Sequence, residues 1–209
     1  NLKKIVTYLL SSSFIEISVV IGALIAGLPL PLLPAQILWA NIVGEGFMNF
    51  AFVFEPKEAD LLNRSPRKSR DILSREVLTL TIVAAIVTSA LLFSFFYLLT
   101  LQGLPVEKIQ TLVFAALSTG GIFFALALRN FRTPIWRMDH FANKALVFSV
   151  GLSSLALMYA LFLPPLRDLL HLVPLGVGEI GWVICFGLVN LCAVEIVKFF
   201  VFQRHAKMS

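Results

Sequence analysis

The sequence predicts an all-α, polytopic membrane protein, a bundle of six transmembrane helices, and three observations carry that prediction. First, the 209-residue chain is 58% hydrophobic and only 14% charged, with a mean hydropathy of +0.89. A soluble domain is roughly 45–50% apolar and about 25% charged, so this chain has too few charges to cover its apolar surface in water. Second, the apolar residues gather into six runs of the length that crosses a bilayer, about 20 residues. Third, the basic residues collect in alternate loops.

The six runs are about 5–27, 35–54, 77–101, 109–128, 145–163 and 180–202. None shows period-2 alternation, and all exceed the roughly 9–11 residues of a barrel strand. Together they form one membrane domain over 1–209, which leaves no room for a large soluble catalytic domain. Fifteen of the 17 Lys and Arg residues lie at the termini, in loops 55–76 and 129–144, or at the end of the last run; only Lys108 and Arg167 lie on the other side. Short basic loops mark the cytoplasmic face, so both termini are expected to be cytoplasmic. The same clustering beside apolar runs accounts for the net charge of +5 through anionic lipid headgroups, without a nucleic-acid partner.

The first two spans are joined by Leu28-Pro29-Leu30-Pro31-Leu32-Leu33-Pro34. Proline cannot continue a helix and pushes its predecessor toward extended geometry, which predicts a tight turn at the outer surface. Asn63-Arg64-Ser65-Pro66-Arg67 predicts a turn or extended segment on the opposite surface. The two cysteines, Cys185 and Cys192, lie on one helix about 10 Å apart at 1.5 Å per residue, too far for a disulfide; they read as small packing residues. No signal peptide is evident, and Asn1 in the first position is the start expected of an excised or processed chain. His140, His171 and His205 lack metal-ligand spacing, and neither a Walker loop nor a nucleotide-binding glycine motif is present.

Three of the 12 acidic residues fall inside predicted spans: Glu16, Glu45 and Glu195. A carboxylate at that depth costs about 2.5–3.5 kcal/mol on insertion scales, so each needs a partner or a function. Glu195 has Lys198 three residues on, which predicts a local ion pair with the lysine snorkelling to the interface. Glu16 shares a face with Ser13, and Glu45 shares one with Asn41. Counted from the proline turn, Glu16 and Glu45 lie roughly 20 and 16 Å deep on antiparallel helices, so the two acids and the amide can meet. Gly44 and Gly46 flank Glu45 and weaken the helix there by about 1 kcal/mol each relative to Ala. An opened turn would offer carbonyl oxygens, which with carboxylates and an amide are hard-cation ligands. The competing reading is a Glu pair that only bonds neighbouring helices, with the glycines as packing notches. Asn49 and Asn190 are expected to make interhelical hydrogen bonds, and Ser118-Thr119-Gly120-Gly121 to allow close helix packing.

These residues resemble the second, P2-like class of P-type (E1-E2) cation-transporting ATPases, across the whole chain. Asn1-Leu2-Lys3-Lys4-Ile5 with Tyr8-Leu9-Leu10-Ser11-Ser12-Ser13 is similar to the entry of that family's fifth helix. Leu28 to Pro34 followed by Gln36, Leu38-Trp39 and Asn41 is the most specific likeness. Phe54-Glu55-Pro56 and Arg64-Ser65-Pro66-Arg67 resemble the loop after the sixth helix, and Glu195-Ile196-Val197-Lys198-Phe199 the end of the tenth. The resemblance implies the last six helices of a ten-helix pump, with Glu16, Asn41, Glu45 and Ser13 as cation ligands. It also implies partners, namely four further helices and the cytoplasmic domains that use ATP and Mg2+. The chain by itself would then hold no cofactor and carry no ATPase activity. Ser13 stands where calcium pumps commonly have asparagine, Gly44 where threonine is common, and Glu45 where the acid is usually aspartate. The eighth helix offers no acid. The transported ion therefore stays open between calcium, a proton and another cation. A non-enzymatic membrane module or passive ion pathway with the same fold is the alternative function. A secondary transporter would show an internal repeat between residues 1–101 and 102–209, and none is visible.

Overall fold

A computed structural model describes residues 1–54, 74–131, 133–138 and 143–206, with side chains to 202. Among them there is no strand. In chain order the helices are α1 (Leu2–Ile25), α2 (Pro34–Trp39), α3 (Gly46–Val53), α4 (Arg75–Leu101), α5 (Val106–Leu128), α6 (Lys144–Phe162), α7 (Pro164–Leu169) and α8 (Val177–Ala206). A π-helical turn, Ala40–Glu45, joins α2 to α3, and a 3-10 turn, Ile135–Arg137, lies between α5 and α6. The chain is an integral, multi-pass membrane protein: α1, α4, α5, α6 and α8 are each long and apolar enough to cross a bilayer.

Five of the six expected spans are thus single helices. The second, expected over 35–54, is helical from Pro34 to Val53 but in three pieces, α2, the π turn and α3. Observed ends lie within a few residues of the expected ones. The short helix α7 was not foreseen; Pro164 and Pro165 pre-set the backbone for its first turn. Ser74 caps α4 and Asn143 caps α6, each accepting a backbone N–H with its side-chain oxygen.

The proline turn is built as expected and is held from both sides. Gly27 ends α1 at φ +66°, where its N–H reaches Leu24 and the N–H of Leu28 reaches Ala23, the paired closure that needs a left-handed residue. Gln36 accepts the Leu33 N–H at 3.0 Å and donates to the Leu170 carbonyl at 3.1 Å. Gln110 donates to the Leu30 carbonyl at 3.0 Å. The Asn63–Arg67 segment, and the loop residues Glu55, Pro56 and Arg64 to Arg67 that carry part of the family resemblance, lie outside the described residues.

Helix α5 is the centre of the bundle, buried along most of its length. It packs most extensively on α8, and α1 packs most extensively on α4. Gly120 and Gly187 permit the close approach of α5 and α8, and a Cβ at Gly121 would meet the Tyr8 hydroxyl of α1 at 3.3 Å. A Cβ at Gly187 would meet the Phe123 ring at 2.7 Å, and one at Gly120 would meet Phe186 at 3.3 Å, so the expected packing role of the Gly120-Gly121 pair is borne out. Thr88 donates to Asn190 Oδ1 at 2.8 Å, the expected interhelical bond. Asn49 differs, its buried Oδ1 having no hydrogen-bond partner among the described residues. Cys185 and Cys192 are free, as expected, but exposed on the outer face of α8; they are not packing residues of this bundle.

Candidate ion-binding site

Two helix irregularities would each cost stability in a plain bundle, and they occur together. One is a buried acid on α1; the other is the broken second span. In the π turn the Gly46 N–H reaches back five residues to the Asn41 carbonyl. Such turns are rare and widen the helix locally. A Cβ at Gly44 would meet nothing within 4 Å, and one at Gly46 only the Asn41 carbonyl oxygen at 3.9 Å. Among the described residues these glycines are therefore not packing notches. Their effect is on the backbone, which they leave soft at the residue that carries the acid.

The structure brings Glu16 and Glu45 together. Both are buried and both line a single cavity of about 40 Å³ between α1, the π turn, α4 and α5, closed at the side by Phe186 of α8. About 10–15 Å³ on this measure admits one water, so the cavity has room for an ion or a small number of waters. Asn41 lies beside the cavity and donates its Nδ2 to Glu16 Oε2 at 3.1 Å. Glu16 Oε1 is buried with no hydrogen-bond partner among the described residues. Ser118, which lines the cavity from α5, likewise has its Oγ buried without a hydrogen-bond partner among the described residues. Leaving such an atom unsatisfied costs about 1–3 kcal/mol, more for a charged group. Two such residues lining one small cavity mark a place that a polar occupant would stabilise.

Ser13 is exposed on the outer face of α1, so the described chain does not bring it to Glu16. The serine at the site is Ser12, which lines the cavity together with Glu16 and Glu45. Its hydroxyl also lies 2.9 Å from the Tyr8 carbonyl. Tyr8, 1% exposed, closes one end of the cavity; its hydroxyl donates to the Gly121 carbonyl at 3.3 Å and its ring packs on Phe52 and Phe124. The inward side of α1 is the stripe Thr7, Tyr8, Ser11, Ser12, Ile15, Glu16, Val19 and Ala23. That buried stripe leaves Ser13 on the outside. Ser118 was read only as part of a packing motif; it supplies an oxygen from α5, which has no acid at this level. Thr88 of α4 reaches the cavity as well.

Glu195 and Lys198 pair as expected, at 2.7 Å. Lys198 does not snorkel, however. It is 3% exposed and also donates to the Ala127 carbonyl at 2.7 Å and the Thr133 carbonyl at 3.2 Å. It thereby caps the end of α5, a cation at the negative end of a helix. Glu195 is thus bound up in structure and stands apart from the Glu16–Glu45 cavity. Among the described residues no group of three or more His, Cys, Asp or Glu could hold a metal, so any ion at the cavity must draw on neutral oxygens beside the two acids.

An apolar helical bundle with a broken span and two carboxylates on an interior cavity defines a membrane domain of ion-transport type. The sequence comparisons name the family. The model of "Cation transporting ATPase, C-terminus" matches residues 29–200, and the chain belongs to that family. It is 28% identical over 190 residues to the calcium-transporting ATPase of Bacillus subtilis, covering 90% of this chain and 21% of that protein. It is 30% identical over 169 residues to the mouse calcium-transporting ATPase type 2C member 2, covering 80% and 18%. It is 25% identical over 197 residues to the probable cation-transporting ATPase F of Mycobacterium bovis, covering 94% and 22%. The chain spans about a fifth of the length of these relatives.

Proposed function

We propose that this chain is the membrane transport unit of an ATP-driven cation pump, and that Glu16 and Glu45 hold the transported cation in the cavity beside the π turn. The observation that carries the proposal is Glu16 Oε1, buried without a hydrogen-bond partner among the described residues, on a side chain that shares its cavity with Glu45 of the π turn. Two carboxylates in one small cavity repel unless a cation or a proton lies between them. Ser118 and Ser12 add neutral oxygens, and the widened turn can add carbonyl oxygens as it opens further. That donor set, all oxygen and partly anionic, suits a hard cation. Asn41 acts through Glu16, fixing one carboxylate oxygen and leaving the other for the cation. The role expected of Ser13 falls to Ser12.

Calcium is the first ion to test, because several similar proteins are calcium-transporting ATPases by name. The proposal includes the partners implied by the family: four further helices, and cytoplasmic domains that take ATP and Mg2+ and drive the opening and closing of the turn. It also places both termini and the two long basic loops on the cytoplasmic side. The test is ATP-dependent uptake of 45Ca2+ by proteoliposomes holding the protein at its full natural length, run in parallel with manganese, sodium and potassium. Uptake that needs ATP, and that is lost in Glu45→Gln, supports the proposal. Flux that proceeds equally without ATP identifies a passive pathway and overturns it.

A further inference from the structure

A second cavity, of about 260 Å³, lies at the end of the bundle remote from the proline turn, where α5 finishes, the 3-10 turn follows and α8 leaves the apolar layer. Its chemistry differs from that of the ion site. Pro134, Phe199 and Phe202 give it apolar walls, Trp136 stands at its mouth 69% exposed, and three charged groups line it: Arg137, Glu195 and Lys198. Glu195 and Lys198 neutralise each other at 2.7 Å. Lys198 has three N–H donors, and all are taken, by Glu195, Ala127 and Thr133. The guanidinium of Arg137 is exposed and makes no ion pair or side-chain hydrogen bond among the described residues. Among the described residues it therefore sets the sign of the cavity.

We infer that this cavity binds the headgroup of an anionic phospholipid, with the phosphodiester on Arg137 and the glycerol and upper chains along the aromatic wall of α8. Charge and position both select that occupant. Arg presents a rigid fork of donors that matches phosphate oxygens two at a time. Trp is amphipathic and favours the level where headgroups meet chains. Phe199 and Ile196 are 53% and 56% exposed on the outer face of α8 directly below, a surface that accepts acyl chain and would not accept a soluble anion's hydration shell. The volume is smaller than a typical drug-sized pocket of about 300–1,000 Å³ and fits a compact headgroup.

The test uses the protein at its full natural length in neutral detergent, titrated with dioleoyl phosphatidylglycerol, dioleoyl phosphatidylcholine or inorganic phosphate. Native mass spectrometry reads the bound lipid, and thermal unfolding reads its effect. Phosphatidylglycerol should be retained and should raise the midpoint of unfolding. Arg137→Gln should weaken its retention at least about tenfold, the loss expected for a charge-assisted contact. Arg137→Lys should restore part of it, and Arg167→Gln, at the opposite end of the bundle, should leave it unchanged. Equal retention of phosphatidylcholine, equal stabilisation by inorganic phosphate, or an Arg137→Gln variant that binds phosphatidylglycerol like the parent would each overturn the inference. Arg137 is exposed and makes no ion pair or side-chain hydrogen bond among the described residues, so its replacement should leave the fold intact.

Discussion

Replacing Gly44 with alanine separates a soft backbone from a packing notch. A Cβ at Gly44 meets nothing within 4 Å, whereas one at Gly187 would meet the Phe123 ring at 2.7 Å and the Thr119 methyl at 2.9 Å. Gly44→Ala should therefore stabilise the fold by about 0.4–1 kcal/mol, the usual gain where alanine fits, while Gly187→Ala should destabilise it by about 1–3 kcal/mol through overpacking. The same stiffening works against function. If the turn must open beyond its π geometry to offer carbonyl oxygens, up to about 1 kcal/mol of added helix preference weakens ion binding by up to about fivefold. The assay is cation-dependent phosphorylation from ATP in the full-length protein, with the midpoint as the readout. A midpoint shifted to higher cation concentration, an unchanged maximum and a raised unfolding temperature are expected. A lowered unfolding temperature with an unmoved midpoint would refute the reasoning, and would make Gly44 a notch for a neighbour outside this chain.

Lys198→Met should destabilise the protein by about 3–5 kcal/mol, because it leaves Glu195 buried and unpaired; adding Glu195→Gln should recover part of that in thermal unfolding, and no recovery would show that the Ala127 and Thr133 contacts dominate. Thr88→Val should cost about 1–3 kcal/mol by stranding Asn190, again read by thermal unfolding. Single cysteines at Ser69 and Gln102, in a background without Cys185 and Cys192, should label from opposite sides, with Gln102 accessible outside intact cells; labelling of Ser69 from outside would reverse the orientation. Residues 1–209 expressed alone should show no ATP hydrolysis above a mock preparation, since no phosphate-cradling motif lies within them.

Most of the bundle was legible because a bilayer imposes it. Hydropathy and the placement of 17 basic residues locate the spans, since an apolar run of that length has few other solutions. The pairing of Glu16 with Glu45 was legible from depth alone, as the proline turn fixes both helices to one origin. What escaped depends on azimuth and on partners distant in sequence. Ser12 and Ser13 are four and three residues from Glu16, both near its face; which one turns inward is decided by where α4 and α5 stand, with Ser11 and Thr7 already committed to Thr81 of α4. Ser118 gave no signal because a serine beside two glycines reads equally well as packing. Lys198 was expected at the interface, but the Ala127 and Thr133 carbonyls that hold it lie about 65 to 71 positions away. The π turn followed from Gly44 and Gly46 only as softness; its hydrogen-bond register depends on the packing around it.

Direct cation binding by the full-length protein without ATP tests the central claim most plainly, with parent, Glu45→Gln, Glu16→Gln and Glu195→Gln compared by 45Ca2+ filtration and by the other cations that support phosphorylation. Glutamine keeps the shape and removes the ionisable group. Both Glu45→Gln and Glu16→Gln should lose binding by at least about tenfold at unchanged expression, and Glu195→Gln should bind like the parent while unfolding at lower temperature. Parent-like binding by Glu45→Gln, with an unaltered dependence on cation concentration, would contradict the account and return Glu45 to the status of a buried packing residue.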